Sequence, residues 1–263
     1  MSLTLQISEW PLWQAGLLLV VLPTLLSMCG PILVRRLLGL NAVIGNNEVA
    51  GFKFATLGVI YAVLLGLAVI AASDTFSEAD TATTREAAAL ASLFRLAGGL
   101  DTQPQLIVHE ATRRYARATI DNDWPAMARG AEDPQARVAL NDLYNSVFSL
   151  DLEANGQSAL LSSVLSELNV ITEMRRLRLS MAEGIIRPIV WLVLLAGAAM
   201  TIGFTFFFGL ENLRAQALMT GMLAMLIFLA LFVAISVNHP FTGAIVVAPE
   251  PIELVLVDFA EPP

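Results

Sequence analysis

Charge is what this chain has least of. Of its 263 residues only 14% are Asp, Glu, Lys or Arg, while 56% are hydrophobic and the mean hydropathy is +0.69. Soluble globular chains carry about a quarter charged residues, so this balance excludes an ordinary soluble protein and indicates a membrane protein. Lysine is nearly missing, with Lys53 the only one, and the formal net charge is -8. Nucleic acid is therefore excluded as a partner, because neutralising phosphates takes clustered Lys and Arg. The single cysteine, Cys29, lies in an apolar run and rules out an intramolecular disulfide framework or a cysteine-cluster metal site. Histidine is equally scarce: His109 and His239 stand two apolar runs apart, too far in sequence context for a zinc site or a proton relay. There is no Walker A motif and no GxGxxG, and no apolar run offers a nucleophile with a base. No catalytic residue, resident metal or cofactor is expected, and an enzyme is the least supported class.

What the sequence has in quantity is long uncharged stretches. Four runs free of Asp, Glu, Lys and Arg reach the roughly 20 residues that span a bilayer as a helix: Trp10 to Val34, Phe54 to Ser73, Ile189 to Leu210 and Ala215 to Asn238. The first has Glu9 before it, no basic leader and more length than a signal-peptide core, so it reads as a retained span. Trp10, Trp13 and Trp191 fit interfacial anchors. Arg35, Arg36, Lys53 and Arg214 on one side balance Arg175, Arg176, Arg178 and Arg187 on the other, so the positive-inside rule gives no orientation.

Most of the charge falls between the second and third spans. The expected division is 1-73 for the first helix pair, 74-187 for a soluble helical domain, 188-238 for the second pair and 239-263 for an irregular tail. Within the soluble part, Asp74 to Arg95 predicts a helix closed by Gly98-Gly99 with a left-handed cap. Thr102 before Pro104 and Asp133 before Pro134 predict caps for helices over about 104–122 and 134–152, interrupted between them at Trp124-Pro125. Ser158 to Ala182 carries Leu161, Leu165, Leu168, Ile171 and Met174 at helical spacing, a buried face. The tail from Pro240, with Val246-Val247 and the run Ile252 to Val257, reads as extended or irregular, with at most one short strand. His109 is expected solvated on a polar helix, and His239 as a cation at the end of the fourth span. Asp121, Asn122 and Asp123 are acidic enough for calcium but lack the spacing of an EF-hand loop, and a solvated turn is the simpler reading.

The second span carries the most specific pattern. Gly51, Ala55, Gly58, Ala62 and Gly66 recur at spacings of three and four, so Gly58, Ala62 and Gly66 form a small-residue face that predicts close helix packing. Beside it, Val59, Val63 and Leu67 recur every four residues, the pattern of an apolar constriction if several subunits contribute it. Lys53 and Asp74 stand at its two ends.

The run Thr56-Leu57-Gly58-Val59-Ile60-Tyr61-Ala62-Val63-Leu64-Leu65-Gly66-Leu67, in a second span followed directly by a helical domain, resembles the pore helix of bestrophin channels. The wider resemblance is to bacterial bestrophin-like membrane proteins. It rests also on Asn47-Glu48-Val49-Ala50-Gly51, on Glu173 to Arg178, on Phe208-Gly209-Leu210-Glu211-Asn212 and on Pro240-Phe241-Thr242-Gly243. The resemblance implies an all-α membrane protein of four transmembrane helices with a helical soluble domain inserted between the second and third. It implies a homopentamer in a bacterial inner membrane, with a cytoplasmic N-terminus and soluble domain, lipid around it and small inorganic ions as cargo. Carried over by position, Val59, Val63 and Leu67 become the pore neck, with Gly66 in the glycine position between the last two and Lys53 and Asp74 at the mouths. Bestrophins use bulkier rings at two neck positions. Their polar and aromatic residues after the pore helix are replaced here by Ala71, Ala72, Ser73 and Asp74, so no calcium clasp carries over. Chloride is the ion the family majority implies, although Asp74, Glu78 and Asp80 would draw cations. The second reading is a non-conducting membrane-anchored sensor or scaffold acting through the soluble domain, favoured by the lack of any charge inside the four spans.

Overall fold

The computed structural model describes residues 10–38, 47–150, 158–208 and 212–260. The third span, expected to reach Leu210, ends as a helix at Thr205, and Gly209, Leu210 and Glu211 of the motif between the last two spans lie outside the described residues. Among the described residues every regular element is a helix and there is no strand. Helix α1 runs Leu12–Gly16, passes through a π-helical turn at Leu17–Val21 and continues Leu22–Leu38; α2 is Asn47–Ala97; α3 is Thr102–Ala118. Helix α4 is Pro134–Phe148, α5 Ser158–Ala182, α6 Pro188–Thr205, α7 Leu213–Val237 and α8 Glu250–Asp258. Four of these, α1, α2, α6 and α7, are long and apolar enough to cross a membrane.

The chain divides into two compact units. The membrane unit holds residues 2–74 and 185–238, and thus α1, the first part of α2, α6 and α7. Its core is apolar and fine-grained: Tyr61, Leu65 and Ala68 of α2 meet Leu194, Ala198 and Ile202 of α6 and Ala224, Ile227 and Leu231 of α7. Close approach depends on missing side chains. A Cβ on Gly197 would fall on the Tyr61 ring, and one on Gly221 on the Met28 side chain. Asn212 caps α7 by accepting from the amides of Arg214 and Ala215.

The charged unit holds residues 75–184 and 239 onward. Its main core joins Leu90 and Leu93 of α2, Val108 and Tyr115 of α3, Leu143 of α4, Leu168 and Ile171 of α5 and Ile252 of α8. A smaller cluster gathers Ala79, Ala82, Met127, Met174, Met181, Phe241 and Val247. The stripe expected on α5 is buried as the spacing required, through Leu168, Ile171 and Met174, and Asp133 caps α4 by accepting from the Gln135 amide at 2.7 Å.

Several expectations are corrected. Asp74 does not start a helix, because α2 runs unbroken from Asn47 to Ala97; the Ala-, Glu- and Leu-rich sequence that follows the second span supplies no breaker. Gly98 and Gly99 end it without left-handed backbone, their amides bonding to the carbonyls of Arg95 and Leu96 three residues back. Positive φ instead falls on Gly184, at 101°, just past α5. Trp124-Pro125 does not interrupt α3: a π-helical turn at Thr119–Asp123 leads into Trp124–Met127, and the wider turn before it accommodates Pro125, which has no amide to donate. The tail expected as irregular or strand forms α8. Pro251 and the acids Glu250 and Glu253 fill its first turn, and Ile252, Val255 and Phe259 bury one helical face, a spacing that outweighs their β-branched neighbours.

Candidate ion pathway and the buried ion-pair network

Each four-residue step along a helix advances about 40° around it, so Val59, Val63 and Leu67 share one face of α2. They are 64%, 56% and 60% exposed in the chain, whereas Tyr61, Leu65, Ala68 and Ala72 on the opposite face are buried. An apolar face with no neighbour among the described residues calls for lipid or another protein surface. Lys53 and Asp74 are exposed at the ends of this stretch. They are 21 residues apart, which on a helix is about 32 Å, close to the thickness of a bilayer's hydrocarbon core.

The small-residue face behaves differently from the expectation of close packing. A Cβ on Gly51, Gly58 or Gly66 would meet nothing within 4 Å, and Ala62 is exposed. The reason is rotational: α2 packs on α6 and α7 through Tyr61, Leu65 and Ala68, and the glycines lie on the other side. Among the described residues, Gly58, Ala62 and Gly66 pack against no helix.

The charged unit holds a second constellation that sequence reasoning passed over. The Glu86 carboxylate of α2 accepts from Arg178 of α5 through Nε at 2.8 Å and Nη2 at 3.1 Å, and from the Tyr115 hydroxyl of α3 at 2.6 Å. Both Glu86 and Arg178 are fully buried. Arg178 also lies 4.6 Å above the Trp124 ring and donates to the Met127 sulfur. One turn earlier on α5, Arg175 donates to both oxygens of buried Asp123, at 2.8 and 3.1 Å, and to Glu132 at 3.3 Å. Burial works against both guanidinium charges, yet these carboxylates hold the two arginines above their ordinary range. The Tyr115 phenol is pushed well up, first by burial and then by the Glu86 charge. The signal was available in sequence: Arg175 and Arg178 continue the buried phase of Leu168 and Ile171.

This geometry corrects the remaining residue expectations. Asp123 is committed to Arg175 and Asn122 donates to Gln135, so Asp121, Asn122 and Asp123 do not converge on a cation. Among the described residues no group of three or more His, Cys, Asp or Glu is placed to hold a metal. His109 is half-buried rather than fully solvated: its ring stacks on Phe94 at 3.6 Å and its Nε2 lies 2.9 Å from the Phe94 carbonyl. Burial pushes its pKa down, against that hydrogen bond and together with the nearby Arg113. His239 is buried and its pKa is lowered by desolvation, so it is no cationic cap. The end of α7 is closed by Asn238, whose carbonyl and side chain accept from the amides of Ile185 and Ile186.

Comparison with known proteins follows the same outline. A family model described as a Bestrophin-like domain matches residues 21–252. The chain is similar to the crystal structure of a bacterial Bestrophin homolog from Klebsiella pneumoniae, with a TM-score of 0.71 at 16% identity over 92% of this chain and 99% of that one. It is similar also to a point variant of that homolog, with a TM-score of 0.69 at 16% identity over 93% and 98% of the two chains. At such identity the likeness is one of fold. No curated protein matches.

Proposed function

Since the chain belongs to the Bestrophin-like family, we propose that this integral membrane protein is an ion channel, a homopentamer in which five copies of α2 line the pore and Val59, Val63 and Leu67 form an apolar neck. The observation that carries the proposal is the outward apolar face of α2, exposed at those three residues and open around Gly58 and Gly66. Five such faces around an axis would cover one another, and the glycines would let neighbouring helices approach. The neck would then be a constriction that sheds water when closed. In this reading Lys53 and Asp74 stand at the pore mouths, and the membrane is a bacterial inner membrane with the charged unit on the cytoplasmic side.

Chloride is the ion this proposal takes first, drawn by Lys53 at one mouth. A second reading, cation passage, is favoured by the exposed carboxylates of Asp74, Glu78 and Asp80 on α2. The sign of the reversal potential in a salt gradient separates the two. Flux through vesicles reconstituted with the full chain tests the channel itself. Val63→Ala widens the neck by two methyl groups per copy and is expected to raise flux severalfold with no loss of folding. Silence of both proteins toward Cl⁻ and Na⁺ would overturn conduction and leave the non-conducting scaffold, and a native mass other than five protomers of 28.3 kDa would overturn the pentamer.

A further inference from the structure

The membrane unit contains a cavity of about 480 Å³ that the ion pathway does not use. Its size is that of a small-ligand site, which spans about 300–1,000 Å³. Phe54, Phe208, Met219 and Leu223 form its apolar wall, and Asn47, Thr205, Gln216 and Thr220 its polar part. Phe54 and Phe208 meet edge to face with centroids 5.5 Å apart, so that part of the wall is braced. Gln216 and Thr220 are nearly inaccessible, at 5% and 3%, whereas Met219 at 62% marks an open rim on the outside of the unit.

Two of the polar groups, Gln216 and Thr220, offer acceptors to the cavity. Gln216 spends its amide nitrogen on the Phe208 carbonyl, and its side-chain carbonyl has no donor among the described residues. The Thr205 hydroxyl donates to the Ile202 carbonyl and lies 3.3 Å from the Thr220 hydroxyl. Its one proton is then committed to Ile202, and Thr220 offers lone pairs. No Asp, Glu, Lys or Arg is among the described lining residues. A charged head would find no counter-charge among the described lining residues and would bear a large desolvation cost. A hydroxyl would satisfy the acceptors, and a hydrocarbon chain would suit the wall and leave by the Met219 rim into the lipid.

We infer that the cavity is a binding site for a neutral hydroxyl-bearing amphiphile, a long-chain alcohol or a monoacylglycerol. The inference does not depend on conduction, only on the membrane location.

A diazirine-bearing dodecanol irradiated with the full-length protein in detergent is the test, compared with the matching hydrocarbon and the matching carboxylate. Label is expected on peptides holding Phe54 and Met219 to Leu223, with excess plain dodecanol removing it. The paired change Thr220→Val and Gln216→Leu should lower the labelling by the alcohol about tenfold and leave that by the hydrocarbon unchanged, the scale of two lost hydrogen bonds. Leu223→Trp should abolish it by filling the space. Label spread over lipid-facing residues such as Leu25 and Leu226, or equal labelling by alcohol, hydrocarbon and carboxylate, would overturn the site. Those two outcomes are read on the unaltered protein and stand even where a variant fails to fold.

Discussion

In the charged unit the buried Arg178 guanidinium is surrounded by a carboxylate, a sulfur and an indole, whereas in the membrane unit the buried hydroxyls of Tyr61 and Thr201 have no hydrogen-bond partner among the described residues. The difference follows from where each unit comes from on folding. A charged residue that leaves water must recover its solvation, so every buried charge in the first unit is paired and hydrogen-bonded. A helix inserted in lipid has already lost water before it packs, so an orphan hydroxyl adds little to the cost of association. The charged unit therefore fixes its buried charges by directional bonds, although its buried Thr119 hydroxyl is also without a partner among the described residues. The membrane unit takes its specificity from shape, with Gly197 against Tyr61 and Gly221 against Met28.

The largest effect expected from breaking this contrast is Arg178→Ala. It leaves Glu86 buried without its cation and is expected to destabilise the charged unit by about 3–5 kcal/mol, seen as rapid proteolysis within residues 75–184 while the apolar spans stay protected. Replacing Glu86 and Arg178 together by Gln and Met should recover most of the loss, since no uncompensated charge remains. A proteolysis pattern unchanged by Arg178→Ala would show that the network holds nothing together. Next in size is Gly197→Ala. Its methyl group would collide with the Tyr61 ring, an overpacking expected to cost about 1–3 kcal/mol, measured as a lower melting temperature in detergent and relieved by adding Tyr61→Leu.

How much of this was legible in sequence differs between the units for the same reason. The four spans, the α5 stripe and the Asp133 cap follow from composition, period and local chemistry, and the structure contains them. The long-range partners do not. Glu86 and Arg178 are 92 residues apart, and nothing in the neighbourhood of Glu86 marks it as buried rather than as one more acid on a surface helix. The rotation of α2 was equally hidden: two stripes were visible on it, but the aromatic Tyr61, not the glycines, turned out to set the face that packs in the chain. α8 was misread because β-branched Ile252, Val255 and Val257 suggest a strand, while the phase that decided the matter, ending at Phe259, becomes meaningful only when Phe94 is there to stack on it.

Acid gives a smaller effect and again separates the units. Burial lowers the pKa of His109 and of His239 in the folded protein, while in the unfolded chain each takes up its proton near about pH 6.5. For a base with a depressed folded pKa, the unfolded state binds the proton first. Stability is therefore complete above about pH 6.5 and falls as the pH drops from there through the folded values. The four apolar runs carry no histidine, so mild acid should open the charged unit to protease while the spans remain protected. His109→Gln should flatten that pH dependence, and an unchanged slope would remove His109 from the account.

The smallest effect expected is at Tyr61. Its ring is a main contact between α2 and α6, yet its hydroxyl is buried without a partner among the described residues. Tyr61→Phe keeps the ring and removes only the orphan oxygen, so the melting temperature in detergent should hold or rise slightly, a change within about 0.5 kcal/mol. Tyr115 has the same side chain in the other unit with its hydroxyl 2.6 Å from the Glu86 carboxylate. There the same replacement would remove a charge-assisted bond from a buried acid and weaken the fold. A clear loss at Tyr61 would mean that its hydroxyl is bonded in the membrane after all, by lipid or by another copy of the chain. The contrast between shape and directional bonding would then fail at its most exposed point.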